Sequence, residues 1–152
     1  MTTVQFESHM REALDLAQQA ADLGEIPVGA VVVNSAGTVV GRGFNLRESQ
    51  GNPLGHAEII ALQDAAAHNG HWRLDDHTLV VTLEPCTMCA GAIVQSRISR
   101  LVFGAFDAKA GAVGSLWDVV RDRRLPHRPE VMAGLLADES AQLLHKFFES
   151  IR

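Results

Sequence analysis

The sequence contains no apolar run of the roughly 18 residues that a membrane-spanning helix requires. Its N-terminal region lacks the basic-then-apolar layout of a secretory signal peptide, because Glu7, Glu12 and Asp15 occur early. The chain has 152 residues, and the 47% that are hydrophobic suffice for one packed core. We therefore expect a single domain over residues 1–152, located in the cytoplasm.

Cysteine is scarce. Only Cys86 and Cys89 occur, separated by two residues. In a chain without an export signal, such a pair is seldom a structural disulfide. The pair therefore indicates metal binding or redox chemistry.

Basic residues are also fewer than acidic residues. Thirteen basic against 18 acidic residues give a formal net charge of −5, which argues against a nonspecific nucleic-acid coat. The exception is residues 97–128, which hold seven basic and three acidic side chains. Most cations of the chain are Arg, whose guanidinium suits phosphate contacts and base stacking. This stretch is either a solvated loop or a local patch for nucleic acid.

The spacing of apolar residues predicts an alternation of helices and strands around a central sheet. Positions at helical spacing predict helices over 6–23, 56–69, 86–96 and 138–150, the last capped by Asp138. Apolar, β-branched runs predict strands over 28–33, 39–44, 77–83, 98–104 and 130–133. The first two strands should form an antiparallel hairpin, and the later strand–helix–strand spacing is that of a parallel crossover unit.

Two short motifs stand at the starts of the second and third predicted helices. They read His56-Ala57-Glu58 and Pro85-Cys86-Thr87-Met88-Cys89. Sulfurs at i and i+3 of a first helical turn lie on one side and can converge on one ion. One His and two Cys suit tetrahedral zinc, and three protein ligands leave a fourth position open, as catalytic sites do. Two thiolates offset the charge of the zinc ion, so the ion acidifies its bound water less strongly. We therefore expect a nearby base, and Glu58 is the candidate.

Other interpretations of these motifs remain open at this stage. A Cys pair that follows a strand and opens a helix is also typical of thioredoxin-like redox sites. That chemistry gives His56 and Glu58 no role. A lone His at such a junction is commonly a surface or capping residue, and a Glu in a first turn complements the helix dipole. The joint occurrence of all four groups favours zinc.

Beyond these motifs, the chain resembles the zinc-dependent nucleobase deaminases, and within them the bacterial tRNA-specific adenosine deaminases. The resemblance spans nearly the whole length. It rests on IPVGAV at 26–31, LEPCTMCAG at 83–91, SRI at 96–98 and VFGAFDAKAGAVGS at 102–115. The last stretch is the most discriminating, since the zinc motifs alone fit deaminases of several bases.

The resemblance implies a three-layer α/β/α fold with a mixed five-stranded sheet, which agrees with the predicted elements. It assigns His56, Cys86 and Cys89 as ligands of one Zn²⁺ per subunit and Glu58 as the catalytic proton shuttle. The implied reaction is hydrolysis at C6 of adenine, which yields inosine. A carboxyl group that both accepts and donates a proton should have a pKa nearer neutrality than a surface acid.

The resemblance also implies a substrate and a set of contacts. The substrate is the wobble adenosine of an arginine tRNA, a splayed base in the anticodon stem-loop, and the enzyme is a homodimer. Asn45 is the residue that hydrogen-bonds the purine. Local features of the sequence are compatible with this substrate and give the other expected substrate-binding residues: Val28, Ala57, Asp107, Lys109, Arg123, Arg124 and Phe148.

Two alternatives to this function follow from the same residues. The first is a deaminase of a free nucleobase or nucleoside such as guanine, which suits the acidic net charge. The second is a noncatalytic, zinc-stabilised binding module, which has no need of Glu58.

Overall fold

The computed structural model describes residues 4–151, which form four helices and five strands. The helices are α1 (Val4–Asp22), α2 (Ala57–Asn69), α3 (Thr87–Gln95) and α4 (Ala137–Ser150). The strands are β1 (Gly29–Val33), β2 (Val39–Phe44), β3 (Thr78–Leu83), β4 (Arg100–Ala105) and β5 (Glu130–Ala133). No helix within the described residues combines the length and the hydropathy needed to cross a membrane.

The five strands form one mixed sheet in the order β2-β1-β3-β4-β5. β1 is antiparallel to both β2 and β3, while β3, β4 and β5 are parallel. β2 therefore runs in the same direction as β3 and β4. The carboxyl ends of these three strands lie at the same edge of the sheet, where the loops that follow them meet.

Helices cover both faces of the sheet, because side chains alternate between the faces along each strand. Ala30 and Val32 of β1 belong to a core formed with α2 and α3. Val31 and Val33 belong to a second core formed with α1, and α4 packs on β3 and β4 beside α1. The predicted three-layer α/β/α architecture is confirmed.

Close backbone contact fixes α2 on β2. A Cβ atom at Gly43 would lie 2.4 Å from the Ala57 carbonyl oxygen and 2.7 Å from the Ala61 amide nitrogen. Gly41 lies equally close to the next turn of α2. Only glycine permits this approach, so the first turn of α2 is held beside the end of β2.

Most predicted bounds differ from the observed ones by one or two residues, and two of these differences have a cause in the backbone conformation. The fourth strand begins at Arg100 rather than at residue 98, because Arg97 has a φ of 65° and belongs to a turn. The Asp138 cap is wrong. α4 begins one residue earlier, after Leu136 in the left-handed region with φ 52°, and no side chain caps it. Asp138 instead lies in the first turn, where its charge complements the helix dipole.

The contact between β2 and α2 gives a first prediction. Gly43→Ala should lower the free energy of unfolding by about 1–3 kcal/mol, because the backbone of α2 must move away. Gly91→Ala is the control, since a Cβ there meets no atom within 4 Å. The control should be neutral or stabilising by about 0.5–1 kcal/mol. Urea denaturation measures both, and wild-type stability of Gly43→Ala would contradict the packing argument.

Candidate metal centre and substrate cavity

The starts of α2 and α3 bring three donor side chains together. His56 is the residue that precedes α2, Cys86 precedes α3, and Cys89 lies in the first turn of α3. Neither His56 nor Cys86 uses its side chain to cap its helix. Both side chains are therefore available to a ligand beyond the helix ends.

The donor atoms have the separations that a zinc ion requires. His56 Nδ1 lies 3.5 Å from Cys86 Sγ and 3.6 Å from Cys89 Sγ. All three atoms lie within 4.8 Å of one another. Zinc–nitrogen and zinc–sulfur bonds of ordinary length at a tetrahedral angle place N and S about 3.5–3.6 Å apart. The predicted ligand set fits one zinc ion per chain.

The pKa values of the two thiols are shifted in opposite directions. The pKa of Cys86 is lowered to about 4, first by the hydrogen bond from the Cys89 thiol and then by His56. The pKa of Cys89 is raised by the neighbouring Cys86 and by burial. Both cysteines are free. A partly buried group with one thiolate and one imidazole attracts a divalent cation, whereas dithiol exchange gives the imidazole no role.

Glu58 lies in the first turn of α2, two residues after His56, and only 4% of its surface is exposed. Burial raises its pKa to about 7, and the charge of Cys86 adds to that effect. The expectation that this carboxyl group has a pKa near neutrality is confirmed. A carboxyl group in this state can take up and release a proton at the pH of the cell.

A cavity of about 580 Å³ opens from the metal centre to the surface. Two sets of side chains line it. The first belongs to the centre and comprises His56, Ala57, Glu58 and Cys86. The second contains five expected substrate-binding residues in addition to Ala57: Val28, Asn45, Asp107, Lys109 and Phe148. The carboxyl ends of β2, β3 and β4 thus converge on one site, as the strand directions require.

Asn45 lies directly after β2 and is 8% exposed. Its Nδ2 donates to the Ile26 carbonyl oxygen at 3.3 Å, and its Oδ1 accepts from the Arg47 amide at 3.3 Å. These two bonds fix which way the amide group points. The side chain is therefore oriented before any ligand enters the cavity.

Among the basic side chains of residues 97–128, Lys109 alone lines this cavity. Arg123 and Arg124 are not among the residues that line it. Arg124 forms an ion pair with Asp122 at 2.6 Å, and both side chains lie in an exposed turn. Their contact with RNA stays a prediction.

Eight lining residues were not assigned to the site by the sequence analysis: Ile26, Arg47, Leu83, Glu84, Phe106, Ala108, Ala110 and Leu144. Phe106 is 59% exposed, and its ring meets the buried Phe103 edge-on at 5.2 Å. Leu144 lies one turn before Phe148 on α4, so helical spacing indicates the shared face. Phe106 could have been assigned to the site from the sequence, because it is a large apolar residue directly after β4.

A buried carboxylate holds the loop that carries Arg47. Glu25 is 1% exposed and accepts hydrogen bonds from the amides of Glu48 at 3.2 Å and Ser49 at 2.5 Å. Burial alone would raise the pKa of Glu25. The hydrogen bonds from Ser49 and Glu48 outweigh that effect and hold the pKa below its ordinary value. The wall of the cavity that includes Arg47 is thus fixed by an ionised group.

Comparison with known proteins agrees with this geometry. Residues 3–105 match the cytidine and deoxycytidylate deaminase zinc-binding region, a stretch that includes the three metal-binding residues. The fold and the site together therefore define a zinc-dependent deaminase.

Two similar proteins narrow the class. A tRNA-specific adenosine deaminase of Haemophilus influenzae is 53% identical over 146 residues, which cover 96% of this chain and 84% of that protein. A solved structure from work on A-to-I editing by tRNA:A34 deaminases has a TM-score of 0.83 and 41% identity. It covers 90% of this chain and 99% of its own. The chain belongs to the tRNA-specific adenosine deaminase family.

The fold itself is shared more widely. A structure of guanine deaminase from Nitrosomonas europaea has a TM-score of 0.76 and 27% identity, with 93% of this chain and 83% of that chain covered. The choice of base therefore depends on the side chains of the cavity.

The ionised state of Glu25 predicts a pH-dependent stability. Its folded pKa is below the ordinary 4.5, so the unfolded chain takes up the proton first as the pH falls. The contribution of ionised Glu25 to the free energy of unfolding is thus complete above about pH 5. It is lost as the pH falls through the ordinary pKa of a glutamate towards the lower pKa of the folded state. Glu25→Gln should cost about 1.5–3 kcal/mol near neutral pH. The difference from the wild type should shrink in urea titrations at about pH 3.5, and a constant difference would contradict the assignment.

Proposed function

We propose that the protein hydrolyses adenosine to inosine at the wobble position of a tRNA anticodon, with an arginine tRNA as substrate. The observation that carries the proposal is the zinc-binding group of His56, Cys86 and Cys89 in the same cavity as the buried Glu58. Membership of the tRNA-specific adenosine deaminase family and the similarity to a tRNA:A34 deaminase structure support it.

The proposed chemistry places proton transfer on Glu58. A zinc ion held by the three donors supplies Lewis acidity, which makes water a better nucleophile. Glu58 takes a proton from the water that attacks C6 and delivers it to N1 of the ring. The second proton of that water, now on the hydroxyl at C6, passes through the same carboxyl group to the amino group. The C6–N bond then breaks, ammonia leaves and the C6 carbonyl of inosine forms. Adenosine and water thus give inosine and ammonia, and a pKa of about 7 suits a group that alternates between base and acid.

The remaining walls of the cavity suit a nucleotide. The oriented amide of Asn45 can hydrogen-bond the purine edge, while Val28 and Ala57 supply apolar contact beside it. Asp107 and Lys109 face the same cavity, and we propose them as contacts to a ribose hydroxyl and a phosphate. The placement of Asp107 and Lys109 in the cavity favours a substrate that carries a ribose and a phosphate over a free base.

The mouth of the cavity suits the rest of an anticodon loop. Phe106 and Phe148 are exposed aromatic rings at the rim, and unstacked bases bind such rings. Arg47 adds a positive charge. We propose Arg123 and Arg124 as contacts to the RNA backbone farther from the cavity.

We also propose a single deaminase domain over residues 1–152 that acts as a homodimer in the cytoplasm. A tRNA substrate favours that location. Leu116 and Trp117 are 62% and 54% exposed outside the cavity, and exposed apolar side chains of this size favour a protein contact. Trp117 Nε1 donates to the Thr87 hydroxyl at 3.1 Å, so this surface adjoins the start of α3.

The function is tested with zinc-loaded protein on three substrates: an arginine anticodon stem-loop, free guanine and free adenosine. We expect inosine and ammonia from the stem-loop. Glu58→Gln should lower kcat by about 10²–10⁴-fold, because it removes the proton shuttle. Its zinc content should stay at the wild-type level, whereas His56→Ala should lose zinc. Turnover of guanine without turnover of the stem-loop would refute the proposed substrate, and an active Glu58→Gln would refute the shuttle.

The salt dependence of binding tests the phosphate contact. Lys109→Ala should reduce the slope of log affinity against log salt for the stem-loop by about 1, because one phosphate contact is lost. Lys146→Ala is the matched control, since Lys146 is exposed on α4 and does not line the cavity. Filter binding at several salt concentrations measures both variants. Equal slopes for Lys109→Ala and the wild type would remove Lys109 from the interface.

A further inference from the structure

Glu84 is a buried carboxylate between β3 and the metal-binding Cys86, and only 2% of its surface is exposed. We propose that Glu84 is a positioning residue that fixes the loop of residues 106–115 relative to the metal centre. The role deepens the proposed function on which it rests, because this loop forms the substrate side of the cavity.

The carboxylate of Glu84 binds both ends of the loop. Oε1 accepts from the Asp107 amide at 3.0 Å and from the Ser115 hydroxyl. Oε2 accepts from the amides of Val113 at 3.0 Å and Ser115 at 3.1 Å. A carboxylate has about four acceptor positions. All of them are used by the loop, so Glu84 has no capacity left to bind substrate.

The main chain around Glu84 binds the same loop. The Glu84 amide donates to the Ala105 carbonyl oxygen at 2.8 Å, and the Ala112 amide donates to the Pro85 carbonyl oxygen at 2.8 Å. The residue that precedes the loop and a residue within it are therefore both tied to the segment that ends at Cys86. A shift of the loop would require these bonds to break together.

Gly111 shows how tightly the loop encloses the carboxylate. A Cβ atom at this position would lie 2.3 Å from Glu84 Cδ and 2.5 Å from the Asp107 carbonyl oxygen. Any side chain at residue 111 would push the carboxylate out of its place. The loop and Glu84 are thus fitted to each other at atomic contact.

The loop carries the groups proposed to contact the nucleotide. Asp107 Oδ1 accepts from the amides of Lys109 at 3.1 Å and Ala110 at 3.2 Å, so Asp107 shapes the turn that presents Lys109. The Asp107 amide is itself held by Glu84. Glu84 therefore sets the distance between these groups and the metal centre. Displacements of about 1 Å in such groups can cost about 10²-fold in rate.

The first test compares Glu84→Gln with the wild type. In Glu84→Gln the side-chain NH₂ group is a hydrogen-bond donor, and it would face the N–H groups of the loop, which are also donors. The loop should therefore move. We expect KM for the stem-loop to rise about tenfold or more, with zinc content unchanged. Ser115→Ala removes one hydroxyl bond and should shift KM in the same direction by less. It also provides a second reading if Glu84→Gln folds poorly.

The control is Asn34→Ala. The Asn34 side chain accepts from the amides of Ala36 and Thr38 in the β1–β2 turn and does not line the cavity. This variant should lower stability without changing KM. An equal rise in KM in Asn34→Ala and Glu84→Gln at matched loss of stability would assign Glu84 a merely structural role.

A double-mutant cycle with Lys109 separates positioning from stability. If Glu84 acts through the loop, Lys109→Ala should raise KM less in the Glu84→Gln background than in the wild type. Fully additive effects would overturn the proposal.

Hydrogen exchange tests the loop without any substrate. The amides of Asp107, Val113 and Ser115 should exchange faster in Glu84→Gln than in the wild type, while amides of the β1–β2 turn should not. Unchanged exchange would overturn the positioning role. If the wild type leaves the stem-loop unchanged but the exchange result holds, the proposed substrate fails and the role of Glu84 in fixing the loop stands.

Discussion

The site depends on the convergence of two helix starts at one edge of the sheet. β2 and β3 run in the same direction, so α2 and α3 begin at the same edge. His56 and Cys86 each precede a first turn and extend beyond the helix end, where their donor atoms come within 3.5 Å. Helix starts carry backbone amides without a partner inside the helix, and the positive ends of the helix dipoles favour anionic donors there.

This convergence places acidic groups so close together that their charges repel one another. Cys86 and Glu58 are both inside or beside the centre, and the charge of each disfavours ionisation of the other. A divalent cation reverses that balance, because it stabilises the thiolates. Zinc binding is therefore linked to folding. The same cation weakens the effect of the Cys86 charge on Glu58, and burial is then the main factor that keeps the pKa of this carboxyl group above its ordinary value.

Local patterns in the sequence predicted the regular elements and the metal ligands, because periodicity and short spacings determine both. The cavity walls were less predictable, since the loops with Arg47 and Phe106 are held by contacts between distant positions. Glu25 binds an amide 24 residues later in the chain, and Glu84 binds one 31 residues later. The Asp138 cap was wrong because the turn before α4 starts the helix one residue early.

The distribution of charge indicates how an acidic protein can act on RNA. The chain has a net charge of −5, and the cations among the described cavity residues are Arg47 and Lys109, beside the titratable His56. Few phosphate contacts give weak nonspecific affinity. Selectivity must then come from the depth and shape of the cavity, which an RNA base can enter only when it is splayed out of its stack. Rigid walls are the physical condition for such selectivity, because a loop that adapts to any base discriminates poorly. Buried carboxylates that saturate backbone amides provide this rigidity in loops that have no regular structure.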